Sequence, residues 1–124
     1  MATSKESSIS IQIGLDENKI PETIHWSAPD GGVENAVAKA LLLSLWDSET
    51  QETLRMDLWV KDMPIDQMQR FFHQSLVTMG QTYFRATEDD KMAQGFEDFA
   101  AFFAEKLNIK LSFSSSKVNQ EISD

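Results

Sequence analysis

The spacing of apolar residues changes once along this chain, at Pro64, and that change limits the folds open to it. Before it, Leu54, Met56, Leu58 and Val60 alternate with Arg55, Asp57 and Trp59. A period of two belongs to a strand with one apolar face. Beyond it, Ile65, Met68, Phe72, Leu76, Met79 and Tyr83 step by three or four, with Phe71 and Phe84 widening the stripe. That spacing describes an amphipathic helix of about six turns. Pro64 suits the first turn of such a helix, where its missing N–H would have no partner anyway. Strands followed by helices, without alternation, indicate an α+β chain.

The strand period extends upstream. Leu41, Leu43 and Leu45 form an apolar row that matches Leu54, Met56 and Leu58 across a turn at Asp47–Glu52. Pairing Leu45 with Leu54, Leu43 with Met56 and Leu41 with Leu58 puts all six on one face. A slip of one residue sets them against Arg55 and Asp57, so the pattern selects its own register. The Ala and Leu content of residues 37–46 also permits a helix there, as a competing reading. Earlier, Ile9, Ile11, Ile13 and Leu15 alternate with polar residues, and a second strand is expected over Ile20–Ala28, with Ile24, Trp26 and Ala28 on one face. Pro29-Asp30-Gly31-Gly32 is a turn, and residues 33–37 fit either a loop or a short helical turn. It is no phosphate loop, because no Gly-Lys-Ser/Thr follows.

After the first helix, Thr87-Glu88-Asp89-Asp90 offers a Thr cap followed by acids in a first turn. Met92, Phe96, Phe99, Phe103 and Leu107 then give a second apolar stripe. A short strand to Phe113 can follow Asn108. The expected architecture is a four-stranded antiparallel sheet followed by two helices packed on one face, ββββαα. It forms a single α+β domain over residues 8–113, with a flexible N-terminus over 1–7 and a disordered tail over 114–124.

Composition excludes more than it selects. The 124 residues contain no cysteine, which removes disulfides, thiolate metal sites and cysteine nucleophiles. The formal net charge of −9 is diffuse, with 5 basic against 11 acidic residues over 1–62 and 6 against 9 over 63–124. No basic cluster exists to neutralise phosphates, which argues against nucleic acid and anionic membrane as partners. The N-terminus lacks the apolar stretch of a secretory signal, and Ala40–Leu43 is too short to span a bilayer. The expected location is cytoplasmic, without direct membrane insertion.

Catalytic chemistry finds no foothold. The two histidines, His25 and His73, fall in no metal-ligand spacing. There is no nucleophile elbow and no calcium loop. The acidic pairs Asp16/Glu17, Glu88/Asp89/Asp90 and Glu97/Asp98 occupy turns or solvated helix positions. We therefore expect a protein that is not an enzyme and takes no cofactor or metal. The informative feature is the other face of the hairpin, where Ala40, Leu42, Ser44 and Trp46 lie opposite Thr53, Arg55, Asp57 and Trp59. Leu42, Trp46, Arg55, Asp57 and Trp59 have the composition of a protein interface. Trp59 packing across the sheet, or residues 29–37 folding over it, would account for the same pattern without a partner. A homo-oligomer is the simplest use of this face.

Several ordered blocks resemble one family. Ile24-His-Trp-Ser-Ala-Pro-Asp-Gly-Gly, Leu43-Ser-Leu-Trp-Asp and Thr53-Leu-Arg-Met-Asp-Leu-Trp-Val-Lys-Asp-Met-Pro resemble the gliding-motility-associated protein C family, GldC. So do Phe71-Phe-His-Gln-Ser-Leu-Val, Arg85-Ala-Thr and Phe102-Phe-Ala-Glu-Lys-Leu. The likeness spans about residues 9–109 and includes no catalytic motif. It implies an accessory protein in gliding bacteria of the Bacteroidetes type, with partners in the gliding machinery. Four strands followed by two helices in an acidic chain is also similar to SecB-type export chaperones, which gives a holdase as the alternative.

Overall fold

The computed structural model describes residues 4–109. The expected strand to Phe113 and the expected tail lie outside the described residues. Two compact units meet at Met63/Pro64 in the sequence, and each is described by itself.

The first unit is all β. Its strands are β1 (Ser10–Leu15), β2 (Pro21–Ala28), β3 (Val33–Ala38), β4 (Ala40–Asp47) and β5 (Glu52–Trp59). They form two antiparallel sheets, β1-β2-β3 and β4-β5, where the sequence pointed to a single four-stranded sheet. The difference is β3, in the stretch that fitted a loop or a helical turn. Pro29–Gly31 makes a single 3-10 turn, and Gly32 at φ 76° sends the chain back along β2. The Asn35 N–H then donates to Ser27 Oγ at 2.8 Å, and the β2–β3 register shifts between Trp26 and Ala28. A strand built from Val, Asn and Ala with a bulge opposite it has little intrinsic strand signal. The four-stranded sheet behind the SecB comparison is absent among the described residues.

Asp16 closes the β1–β2 turn. One carboxylate oxygen, Oδ1, accepts the N–H groups of Asn18 (2.8 Å) and Ile20 (3.0 Å), and Lys19 takes a φ of 62°. The other, Oδ2, accepts from Lys61 Nζ at 3.1 Å, and Lys61 also lies 3.6 Å from Glu22. The Ile20 N–H, then the Lys61 ammonium, hold the Asp16 carboxyl below its ordinary range. Asp16 in turn raises the Lys61 pKa. Beyond β5, the Val60 N–H donates to the Lys39 carbonyl (2.8 Å) and the Lys61 N–H to that of Pro21 (3.1 Å). Ile24, Ala28 and Val60 are the buried apolar residues of this unit.

The second unit is an antiparallel helix pair in sequence terms, α1 (Ile65–Thr87) and α2 (Asp90–Leu107), joined by two residues. Pro64 precedes α1 as its cap residue. The cap of α2 is Asp89, not Thr87: Asp89 Oδ1 accepts the Met92 N–H at 3.2 Å. Thr87 ends α1, donating to the Tyr83 carbonyl (2.8 Å) and accepting the Asp89 N–H (3.1 Å). Glu88 adopts a φ of 58°, which turns the chain and leaves Asp89 at the cap. The helices approach closely at Gly80, where a Cβ would fall 2.6 Å from that of Phe96. The buried residues of α2 are Ala100 and Ala104, with Phe96 and Phe103 half-buried, while Met92 and Phe99 are exposed. The second stripe is thus rotated towards its small residues, which permit the near approach.

Candidate functional site

The β4–β5 hairpin has the register its alternation selects. Leu41 faces Leu58, Leu43 faces Met56 and Leu45 faces Leu54, while Leu42 faces Asp57 and Ser44 faces Arg55. Trp46 pairs with Thr53 and Ala40 with Trp59, so all five candidate residues share one face. They are not one tight cluster. Trp46 and Trp59 bracket the face from opposite strands, separated along the ribbon by roughly 20 Å, six strand residues.

Exposure corrects one expectation. Both faces of the hairpin carry exposed apolar side chains, although Leu41 and Leu58 are half-buried. Leu42 (46%), Trp46 (63%) and Trp59 (54%) are exposed on the candidate face. Leu45 (58%), Leu54 (55%) and Met56 (50%) are equally open on the face expected to be core. Alternation reports that a face is apolar; it does not report what covers it. The β4–β5 sheet pairs only within itself, so its two strands bring no sheet neighbour to spread burial. The exposed leucines and methionine of the second face belong to the candidate surface, although their signal read as core. Summed over the two faces, these side chains open on the order of several hundred Å² of apolar area.

The charges of the ribbon are also available. Arg55 and Asp57 are exposed, two residues apart on the same face. Neither has an ion-pair partner among the described residues. In the second unit, Phe99 and Phe102 are exposed with ring centroids 5.8 Å apart, and Lys106 Nζ lies 5.7 Å from the Phe102 ring. His73 is buried in α1, and His25 lies on β2 between Gln12 and Val37. Among the described residues no group of three or more His, Asp or Glu is placed to hold a metal ion. No helix among them is long and apolar enough to cross a membrane.

These features define an α+β protein whose distinguishing surface is an exposed, two-faced apolar β-ribbon. The family model described as gliding motility-associated protein GldC-like matches residues 21–109, from the first residue of β2 to just beyond α2. The chain belongs to that family. No curated protein and no solved structure matches it.

Proposed function

We propose that this chain is a non-enzymatic, cytoplasmic accessory protein of the bacterial gliding machinery that contacts partner proteins through the β4–β5 hairpin. The observation that carries the reading is the exposure of Leu42, Trp46 and Trp59 around the Arg55/Asp57 pair. Tryptophan and arginine dominate the energetics of protein interfaces because each combines large contact area with directed polar contacts. Family membership supplies the process. The acidic, diffuse charge fits a protein partner better than a nucleic acid or an anionic membrane.

The test is the double substitution W46S/W59S in a gliding strain. Both side chains are more than half exposed, so the protein should accumulate and fold normally. Its crosslinks to other proteins and the gliding of the cells should be lost. Crosslinks and gliding both unchanged at normal abundance would remove the hairpin face from the account.

A further inference from the structure

β5 carries a self-complementary charge pattern along an unpaired edge, and we propose that a second copy of this chain pairs with it, β5 to β5, about a two-fold axis at Met56. This deepens the preceding reading by naming one occupant: the edge of the hairpin is taken by a second copy, while its faces remain open to other partners.

Among the described residues the sheet has two strands, and the outer edge of β5 has no strand beside it. Over eight residues the β4–β5 register runs without a bulge. Such an edge presents a row of backbone N–H and C=O groups able to bind another strand. Natural edges are commonly guarded by proline, a bulge or lysine. β5 has none of these; its charges are Glu52 at its first residue and, within the strand, Arg55 and Asp57, of opposite sign.

Their positions matter. Read outwards from Met56, the strand is symmetrical: Arg55 and Asp57, then Leu54 and Leu58, then Thr53 and Trp59. In an antiparallel pair with its own copy centred on Met56, Arg55 of each copy lies directly opposite Asp57 of the other. Leu54 lies opposite Leu58, and Met56 opposite Met56. Paired residues in an antiparallel sheet point to the same side. Each apolar face therefore continues across the new junction, and two ion pairs form.

The charges also exclude the competing registers. Shifting the pairing so as to keep both faces intact moves the axis to Arg55 or to Asp57. The first places arginine opposite arginine, and the second aspartate opposite aspartate, and like charges directly opposite are destabilising. A half-step slip reverses the faces. Of these three registers, the one at Met56 alone keeps the apolar alternation and sets each charge against its opposite. It also sets Trp59 of each copy opposite Thr53 of the other, in the row that Trp46 ends. The tryptophans that bracket one hairpin are thereby brought to the same end, two strand spacings or roughly 10 Å apart. β4, with no charge before Asp47, has no comparable means of fixing a register against its own copy.

The test uses charge reversal in the full chain. Sedimentation velocity should show a monomer–dimer equilibrium across roughly 1–200 μM, as an edge contact of modest area gives. R55D sets aspartate against aspartate twice in the dimer, and D57R sets arginine against arginine twice. Each should weaken self-association by about tenfold or more. Mixing R55D with D57R recreates both opposite-charge pairs and should yield a heterodimer. The double variant R55D/D57R should dimerise like the wild type. A wild-type chain that stays monomeric, single variants that associate normally, or a mixture that fails to associate would each overturn the proposal. None of these would disturb the contact with other proteins, which is read separately by the W46S/W59S crosslinks.

Discussion

Replacing Gly80 and Gly95 by alanine, one at a time, should have unequal effects on stability, with a gain at Gly95 alone. Both glycines lie inside helices, Gly80 in α1 and Gly95 in α2. In each helix an alanine is intrinsically favoured by about 0.8–1.0 kcal/mol. A methyl at Gly95 meets nothing within 4 Å, so G95A should realise that gain. A methyl at Gly80 would lie 2.6 Å from Phe96 Cβ and 3.2 Å from its Cγ. A Cβ is fixed to its backbone, so relief requires the helices themselves to move apart. That would disturb the Tyr83–Phe96 ring contact, whose centroids are 5.8 Å apart. Overpacking of this kind costs about 1–3 kcal/mol. The net effect of G80A should therefore range from neutral to about 2 kcal/mol destabilising, and it should fall below G95A by about 1–3 kcal/mol. Urea unfolding followed by far-UV circular dichroism gives both values, provided the slope with denaturant is unchanged. Equal stabilisation by the two substitutions would refute the close helix approach at Gly80.

Further outcomes follow from the same geometry. The Asp16 carboxyl is held below its ordinary pKa of 3.8 by the Ile20 N–H and by Lys61. Its folded pKa is thus lower than its unfolded one, so its contribution is present above about pH 4 and is lost as pH falls through the folded value. D16N should flatten the acid limb of a melting-temperature titration between about pH 6 and 2. Ile24 is 1% exposed, and I24A should cost about 2–5 kcal/mol in urea unfolding. Met56, 50% exposed, should lose less than about 1.5 kcal/mol on the same truncation. D89A removes the side-chain acceptor of the Met92 N–H and the partner of the Tyr83 hydroxyl, 3.3 Å away. It should destabilise the helical unit by about 1 kcal/mol, with D89N restoring most of that loss in thermal melts.

Where period and chemistry coincide, the sequence was sufficient. The β4–β5 register could be read because Arg55 and Asp57 penalise any slip, and the start of α1 because the helical period begins just after Pro64, which takes the cap position. β3 was hidden. Its alanines favour helix, and its pairing depends on a Gly32 turn and a side-chain bond from Ser27, neither of which leaves a periodic mark. The cap of α2 shifted by two residues because Thr87 and Asp89 are both competent acceptors, and the left-handed Glu88 decides between them. The candidate face was legible as a face, since alternation fixes which residues share a side. Its extent was not, because Leu45, Leu54 and Met56 carry the pattern of a core and are nonetheless open.

The central claim is that the hairpin is the contact surface. A photo-reactive amino acid placed at Thr53, which is exposed and pairs with Trp46, samples that surface without removing either tryptophan. The same group at Glu97, exposed on α2, serves as the reference. Irradiation of gliding cells should give discrete adducts with components of the motility machinery from position 53, and these should disappear in the W46S/W59S background. Adducts of the same identity and yield from both positions, or none from position 53 at normal abundance, would contradict the account.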